Sequence, residues 1–152
     1  MIRILSWNVN NVTANISLAL FSRDQYDIIT IQEPGRSGRP PCPIRCQYHL
    51  IYSNSQVATY LHKGHFPIGS WTAQTSADLI LIHLLQQDIR VAQAYHQPAD
   101  ANPGAALRSL YALKPDPSII LLGDFNLHHP SWDYYGRTSN NTKLLIKVAA
   151  RH

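Results

Sequence analysis

The apolar residues of the chain fall into short runs that polar segments separate. Residues 2–7 form the first run, which Asn residues follow, and this pattern predicts a buried strand. Thr13–Phe21 predicts a short helix because apolar residues follow polar start signals, and Asn11 is expected to cap it. Residues 27–31 are rich in β-branched residues and predict a second strand. The opening of the chain therefore predicts a compact βαβ unit.

Four further apolar runs predict strands that meander, and they come after a loop rich in Pro and Arg at residues 34–47. Polar breaks separate these runs, which are residues 48–52, Val57–His62, residues 78–84 and Ile89–Tyr95. The middle of the chain is therefore predicted to be mostly sheet.

The last third of the chain predicts two helices around one strand. Residues 103–113 predict a helix with Pro in its first turn, and residues 140–151 predict a helix whose Lys and Arg residues recur every four positions. Residues 118–122 form the most continuously apolar run, which predicts a central strand. The apolar residues beside the basic stripe of the last helix are expected to need a partner surface, and they are Leu144, Leu145 and Val148.

Length and composition indicate one domain with a substantial core. The chain has 152 residues, of which 45% are hydrophobic and 14% are charged, and this excludes a disordered tail or a disulfide miniprotein. No run of about 18 apolar residues is present that would span a membrane. The N-terminus also lacks the apolar segment of a secretory signal. We therefore expect an intracellular protein with no membrane partner.

The acidic residues are few. Thirteen Lys and Arg residues and nine Asp and Glu residues give a net charge of +4. This excess permits an anionic partner but falls short of the dense basic patch of a typical nucleic-acid binder. Glu33 is the only glutamate of the chain, so any chemistry that needs a glutamate has one candidate.

Polar residues follow four of the predicted strands at the point where each strand ends. They are Asn8, Asn10 and Asn11 after the first strand, Gln32 and Glu33 after the second, Tyr95 and His96 after a third, and Asp124 and Asn126 after the long apolar run. Ligand sites in open α/β sheets gather at the carboxyl ends of strands, because side chains from several strands converge there. A single cluster of this kind is typical of a turn. Four clusters together predict a functional site.

Four motifs resemble the endonuclease/exonuclease/phosphatase superfamily in their order and approximate spacing. They are Ser6-Trp7-Asn8-Val9-Asn10, Ile31-Gln32-Glu33-Pro34, Ala94-Tyr95 and Leu122-Gly123-Asp124-Phe125-Asn126. Residues 123–132 are most similar to the endonuclease domain that begins non-LTR retrotransposon polyproteins. The resemblance implies an α/β (α+β) fold, in which a two-sheet β-sandwich is flanked by helices in four layers. It also implies metal-dependent hydrolysis of phosphodiester bonds.

The resemblance further implies a metal site. Glu33 matches the metal-binding glutamate of the family, and a hard cation such as Mg²⁺ or Mn²⁺ prefers oxygen ligands. Asn8 matches a position that helps to arrange the metal and phosphate region. Many family members carry a carboxylate at the position of Asn10, so weaker metal binding is expected from the neutral amide here.

The remaining implied roles belong to the phosphate and the attacking water. Asp124 matches the residue that orients or deprotonates the water, and a general base must lie within hydrogen-bond reach of it. Asn126 and Tyr95 match residues that contact the phosphate. His128 is a further candidate for substrate contact, although consecutive His residues in a loop are usually solvated.

The chain departs from the family pattern towards its C-terminus. The family completes its site with a later Asp and a Ser-Asp-His element, whereas no acidic residue follows Asp133 and the only later His is His152. We therefore expect residues 1–152 to form a partial domain whose C-terminal part is missing. Such a chain is expected to be weakly active or inactive on its own, with exposed sheet edges.

The leading hypothesis is an endonuclease of retrotransposon type, with DNA rather than RNA as partner and a reverse-transcriptase domain following in a full-length polyprotein. One alternative is a non-catalytic nucleic-acid-binding or interaction remnant, which would use the basic last helix and the loop arginines Arg36, Arg39 and Arg45. These arginines are equally well explained by solubility. The other alternative is a phosphatase or lipid-type phosphodiesterase of the same superfamily.

Overall fold

Two four-stranded sheets form the frame of the molecule. The computed structural model describes residues 1–21, 25–35, 46–54, 56–76, 79–95, 105–127, 130 and 140–150. Within these residues the strands are β1 (Ile4–Asn8), β2 (Ile28–Gln32), β3 (Tyr48–Ser53), β4 (Val57–His62), β5 (Trp71–Thr75), β6 (Leu79–Leu84), β7 (Ile89–Tyr95) and β8 (Ile119–Asp124). The helices are α1 (Thr13–Phe21), α2 (Ala105–Ala112) and α3 (Asn140–Ala149).

Each sheet contains one parallel pair of strands. Sheet A has the order β1-β2-β4-β3 and sheet B has the order β5-β6-β7-β8. The pairs β1–β2 and β7–β8 are parallel, and the other neighbours are antiparallel. Parallel neighbours need a crossover connection, and α1 and α2 lie in these two crossovers. The predicted βαβ opening is therefore confirmed.

The alternation of side chains along the strands sorts the core into three apolar layers. On β2, Ile29 packs with Ile16 of α1, whereas Ile28 packs between the two sheets with Ile82. The third layer lies on the outer face of sheet B, where α2 and α3 cover it through Leu107, Leu110 and Val148. The order of layers is thus α1, sheet A, sheet B and the pair α2–α3. This confirms the predicted two-sheet sandwich flanked by helices.

The helix α3 docks through the residues that the sequence singled out. Val148 is buried, and Leu144 and Leu145 pack against the same cluster as α2, which supplies the partner surface they need. Each such side chain contributes about 1.5–3 kcal/mol when it is fully buried. In the part of the chain that the structure describes, no helix is both long enough and apolar enough to cross a bilayer.

The strand β8 lies at the edge of sheet B, so the expectation that it is central was wrong. All six of its residues are half-buried. Leu121 packs towards the helices and Leu122 packs between the sheets. A continuous apolar run indicates that both faces of a strand are covered, but it does not tell how many strands flank it.

The strand β5 was missed by the sequence pattern. Four of its five residues are exposed, and it forms the other edge of sheet B. Its sequence, Trp-Thr-Ala-Gln-Thr, has no run of apolar residues. The strand is defined by its antiparallel pairing with β6, which a hydrophobic pattern does not reveal.

Asp27 ties the start of β2 to two other segments. Its carboxylate accepts a hydrogen bond of 2.6 Å from the backbone N–H of Arg3 and pairs with the side chains of Arg3 and His65. Burial alone would raise the pKa of Asp27, but the hydrogen bonds from Arg3 and His65 outweigh it and lower that pKa below its ordinary value. Because the folded-state pKa is lowered, the charged carboxylate stabilises the fold above its unfolded-state pKa, and this contribution is lost as the pH falls through the folded-state pKa.

The substitution Asp27→Asn is expected to lower the free energy of unfolding at pH 7 by about 1–3 kcal/mol, because it removes hydrogen bonds to a buried charge. The loss should be smaller at an acidic pH below the lowered folded-state pKa of Asp27, because the wild-type carboxyl is then protonated. Urea unfolding at the two pH values measures the difference. Asp88→Asn is the matched control, since the Asp88 side chain is 88% exposed. An equal loss at both pH values would contradict this account of Asp27.

Candidate active site

The carboxyl ends of the two parallel strand pairs meet at one end of the sandwich. In sheet A, Asn8 is the register partner of Gln32, and in sheet B, Tyr95 is the partner of Asp124. Tyr95 packs in the layer between the sheets, so it points towards sheet A. The four polar clusters that the sequence predicted to converge therefore come from two facing sheets.

Glu33 lies at the centre of a hydrogen-bond network. Its Oε1 accepts a bond of 2.9 Å from the Tyr95 hydroxyl and a bond of 3.1 Å from Asn8 Nδ2. The same Asn8 nitrogen donates to Oδ2 of Asp124 over 2.8 Å. One amide group thus holds two carboxylates from opposite sheets, and Glu33, Asn8 and Asp124 are all half-buried.

Backbone groups fix the orientation of two of these side chains. The N–H of Asn10 donates to Oδ1 of Asn8 over 2.9 Å, which leaves the Asn8 nitrogen directed at the carboxylates. The N–H of Asn126 donates to Oδ1 of Asp124 over 3.0 Å. Asn10 and Asn126 both have positive φ, at 48° and 46°, a conformation that Asn adopts more readily than most residues.

Glu33 itself has a φ of 53°, which is uncommon for a residue other than Gly. Its backbone N–H donates to the carbonyl of Gln56 over 2.8 Å, and its carbonyl accepts from the N–H of Asn11 over 2.9 Å. The two bonds hold the turn after β2 in this conformation. They direct the carboxylate towards sheet B rather than along its own strand.

Asn11, which the sequence placed in the first polar cluster but assigned to a helix cap, lies at the site. Its side-chain nitrogen lies 3.5 Å from Oε2 of Glu33, at the limit of a hydrogen bond. The expectation that Asn11 caps α1 does not match this contact, since its amide is turned to the carboxylate. A third Asn in the first cluster was a signal that this segment supplies more than a helix start.

Tyr95 is a neutral donor in this environment. Burial raises the pKa of the Tyr95 phenol most, and the hydrogen bond to Glu33 and the negative charges of Glu33 and Asp124 raise it further. The direction of the shift follows from the cost of placing a phenolate next to carboxylates. The hydroxyl therefore stays protonated at neutral pH and donates a hydrogen bond to Glu33.

The two carboxylates have no cationic partner among the residues that the structure describes. Among the ion pairs of the described residues, none involves Glu33 or Asp124. Those residues also bring together no group of three or more His, Cys, Asp or Glu side chains that would hold a metal ion. The donor set at this end of the sandwich instead consists of two carboxylates and neutral amides. Such oxygen donors fit a hard divalent cation, which would also offset the paired charges.

A cleft of about 550 Å³ opens beside this network. It is lined by Ser6, Asn8, Gln32, Gly123, Asp124, Phe125, Asn126, Leu127 and Leu145. Gln32 is 2% exposed and donates to the Ser6 hydroxyl over 3.2 Å, so it forms part of the cleft floor. The contribution of Leu145 from α3 could not be read from the sequence, because it depends on how α3 packs beside β8.

Several predicted contacts lie outside the described residues. They are His128, Arg36, Arg39 and Arg45. The structure thus brings together Asn8, Glu33, Tyr95 and Asp124, and it places the backbone of Asn10 and Asn126 against them.

Part of the chain matches a known family model. Residues 89–152 match a family model described as endonuclease-reverse transcriptase. No curated protein sequence matches the chain. The matched segment includes Tyr95, Asp124 and Asn126, which are the part of the site that comes from sheet B.

Solved structures resemble the whole chain in fold. The endonuclease domain of TRAS1, a telomere-specific non-LTR retrotransposon, superposes with a TM-score of 0.62 at 15% identity, over 99% of this chain and 70% of that chain. The 3′ phosphatase NExo from Neisseria, bound to a product DNA hairpin, gives a TM-score of 0.61 at 17% identity, over 99% of this chain and 71% of that chain. TDP2 from D. rerio, complexed with a single-strand DNA product, gives a TM-score of 0.53 at 14% identity, over 99% of this chain and 66% of that chain.

The family-model match covers the sheet B half of the site, and the structural matches cover both sheets. Each of these neighbours is a phosphoester-cleaving protein or is described in complex with DNA. Residues 89–152 therefore match the endonuclease-reverse transcriptase model, and the whole chain has the fold of these solved structures. These findings confirm the predicted resemblance to the endonuclease/exonuclease/phosphatase superfamily.

Proposed function

We propose that this protein hydrolyses phosphodiester bonds of nucleic acid with a divalent metal ion, in the manner of a retrotransposon-type endonuclease. The observation that carries the proposal is the network at the end of the sandwich, in which Asn8 joins Glu33 and Asp124 while Tyr95 donates to Glu33. Two carboxylates held by neutral donors, with no cationic partner among the described residues, form a site that needs positive charge.

Glu33 is the residue that would hold Mg²⁺ or Mn²⁺, through its Oε2, because its Oε1 already accepts two hydrogen bonds. Asn10 and Asn8 would complete the neutral part of the donor set. The Asn8 oxygen accepts the Asn10 N–H, so the main contribution of Asn8 is to hold the carboxylates. When bound, the ion supplies charge for the phosphoryl oxygens.

The protein's own residues then position the reactants. Asp124 would orient and deprotonate the attacking water, and the two hydrogen bonds to its carboxylate fix where that water lies. Tyr95 keeps its proton and would offer it to a phosphate oxygen when substrate displaces Glu33 from the hydroxyl. Asn126, exposed beside Asp124, would contact the same phosphate.

The substrate class rests on the cleft and on the neighbours. The cleft is lined by residues at the ends of the edge strands β1 and β8, a position at the sheet edges that suits an extended polymer. The described neighbours are bound to DNA or named for a retrotransposon endonuclease, so DNA is the proposed substrate. An intracellular location and a reverse-transcriptase domain following in the same polyprotein belong to this proposal.

Incubation of the purified chain with supercoiled plasmid tests the function. We expect nicking that requires Mg²⁺ or Mn²⁺, stops with a chelator and returns when the metal is restored. The rate is expected to be low, because Asn10 offers a neutral oxygen where a carboxylate would bind the ion more tightly. Asn10→Asp should therefore lower the metal concentration that gives half-maximal rate, by about 10-fold.

Parallel substrates separate the alternatives. An oligonucleotide with a 3′-phosphate tests a phosphatase, vesicles with phosphodiester headgroups test a lipid-type enzyme, and RNA of the plasmid sequence tests the preference for DNA. Binding of DNA that falls with salt, persists with a chelator and leaves the plasmid intact would contradict the proposal and support the non-catalytic alternative.

A further inference from the structure

The site is assembled across a gap between two sheets. Glu33 and Asn8 come from sheet A, whereas Tyr95 and Asp124 come from sheet B, and the bonds that join them are 2.8–3.1 Å long. Packed sheets lie about 10 Å apart, and apolar contact alone sets that distance loosely because it has no direction. A directional contact is therefore needed to fix the distance between the two sheets at this end of the sandwich.

Gln93 crosses this gap. It lies on β7 two residues before Tyr95, on the same face of the strand, and it is 1% exposed. Its Nε2 donates over 3.1 Å to the carbonyl of Ile31, two residues before Glu33. Its Oε1 accepts a hydrogen bond from the hydroxyl of Thr59 on β4, which is fully buried. Gln93 therefore ties β7 to two strands of sheet A.

The rest of the layer between the sheets is mostly apolar. Its members include Ile28, Leu61, Ile80, Ile82 and Leu84. A buried amide and hydroxyl gain little stability over apolar groups of the same shape, even when they are fully bonded. What such a pair adds is direction, since hydrogen bonds weaken steeply when their length or angle changes.

We propose that Gln93, with Thr59, is a positioning residue that sets the spacing between β2 and β7 and thereby holds Tyr95 and Asp124 in reach of Glu33 and Asn8. The inference deepens the proposed function and rests on it for the catalytic consequence. The structural consequence, the contact between Tyr95 and Glu33, stands without it.

The test uses the double variant Gln93→Leu/Thr59→Val, which removes both polar partners and keeps a similar apolar volume. Its stability should be close to that of the wild type, with a melting temperature within about 4 °C, because Gln93 and Thr59 become apolar together and neither is left without the other. Its kcat for plasmid nicking should nevertheless fall by about 10–100-fold, with KM little changed, because the site loses its spacing. The single variant Gln93→Leu should lose both stability and rate, since the Thr59 hydroxyl is left without its acceptor.

Leu84→Val is the matched control. Leu84 lies in the same layer and is fully buried, but it stands at the far end of β6. This variant should lose stability and keep its kcat. If the double variant recovers both stability and kcat, Gln93 has only a structural role and the proposal is wrong.

A second readout does not depend on activity. The ¹³Cζ signal of Tyr95, labelled and assigned with Tyr95→Phe, reports at pH 7 whether the hydroxyl donates to a carboxylate. In the double variant this signal should move towards that of a solvated phenol. An unchanged signal would overturn the positioning role, whether or not the wild type cleaves DNA. Wild-type inactivity combined with the expected shift would refute the proposed function alone.

Discussion

Asp124→Ala is expected to lower the rate of metal-dependent nicking by about 10²–10⁴-fold, which is the usual contribution of a positioned general base. The carboxylate accepts hydrogen bonds from Asn8 on sheet A and from the backbone N–H of Asn126, so its place is fixed from two sides. In the proposed mechanism its removal leaves the attacking water without an acceptor, and it also leaves the Asn8 amide with one carboxylate instead of two. Single-turnover nicking of supercoiled plasmid at saturating Mg²⁺ measures the loss.

The comparison needs a control that removes an equally charged side chain elsewhere. Asp116→Ala serves this purpose, because Asp116 pairs with Arg90 near the start of β7 and β8, at the end away from the candidate site. It should reduce stability and leave the rate of the folded fraction within about twofold. Glu33→Gln, in contrast, should lose activity together with its metal dependence. Equal rates in the wild type and in Asp124→Ala would indicate a contaminating nuclease.

Gly123→Ala is expected to destabilise the protein by more than about 4 kcal/mol, or to prevent folding. A Cβ built at Gly123 would lie 1.8 Å from the carbonyl oxygen of Ala94, its register partner on β7. That atom belongs to the backbone and cannot turn away. Gly123 also has a φ of 149°, which an L-residue with a side chain rarely adopts.

Gly69→Ala is the matched substitution. Gly69 likewise has a positive φ, of 92°, but nothing lies within 4 Å of the Cβ position. Backbone strain alone should cost about 1–3 kcal/mol there. Urea unfolding of the two variants separates the clash from the strain. Similar losses of unfolding free energy in the two variants would show that β8 can move away from β7. The close approach at Gly123 would then not be required for folding.

The close approach of β8 to β7 has a functional consequence. Asp124 follows Gly123 directly, and its register partner is Tyr95, which follows Ala94. A side chain at position 123 would push the strands apart at the residues for which we propose catalytic roles. The glycine of the Gly-Asp-x-Asn motif therefore serves the geometry of the site as well as the turn after the strand.

The hydrophobic pattern determined most of the elements. Seven apolar runs became strands with boundaries shifted by no more than two residues, and the three predicted helices formed as Thr13–Phe21, Ala105–Ala112 and Asn140–Ala149. Burial on one or two faces leaves a period that can be read from the sequence alone. The strand β5 escaped because four of its five residues are exposed, and backbone pairing leaves no hydrophobic period.

Some residues of the candidate site could be predicted from the sequence, and others could not. Asn8, Glu33, Tyr95 and Asp124 were predicted because polar residues at strand ends, in a recognisable order, are a local signal. Asn11 was placed in the first cluster but assigned to a helix cap, and Gln93 was not singled out, because the contacts of both residues lie on another segment. A Gln inside an apolar strand becomes informative only when the opposite sheet is placed.

The sequence by itself determined the βαβ opening, the apolar runs and the residue types of the site, because these depend on neighbours along the chain. The tertiary structure decided which strand lies at an edge, how the sheets face each other, and that one Asn8 amide joins two carboxylates. These features depend on contacts between residues up to 116 positions apart. Packing brings such residues together, and no periodicity along the chain encodes the distance between them.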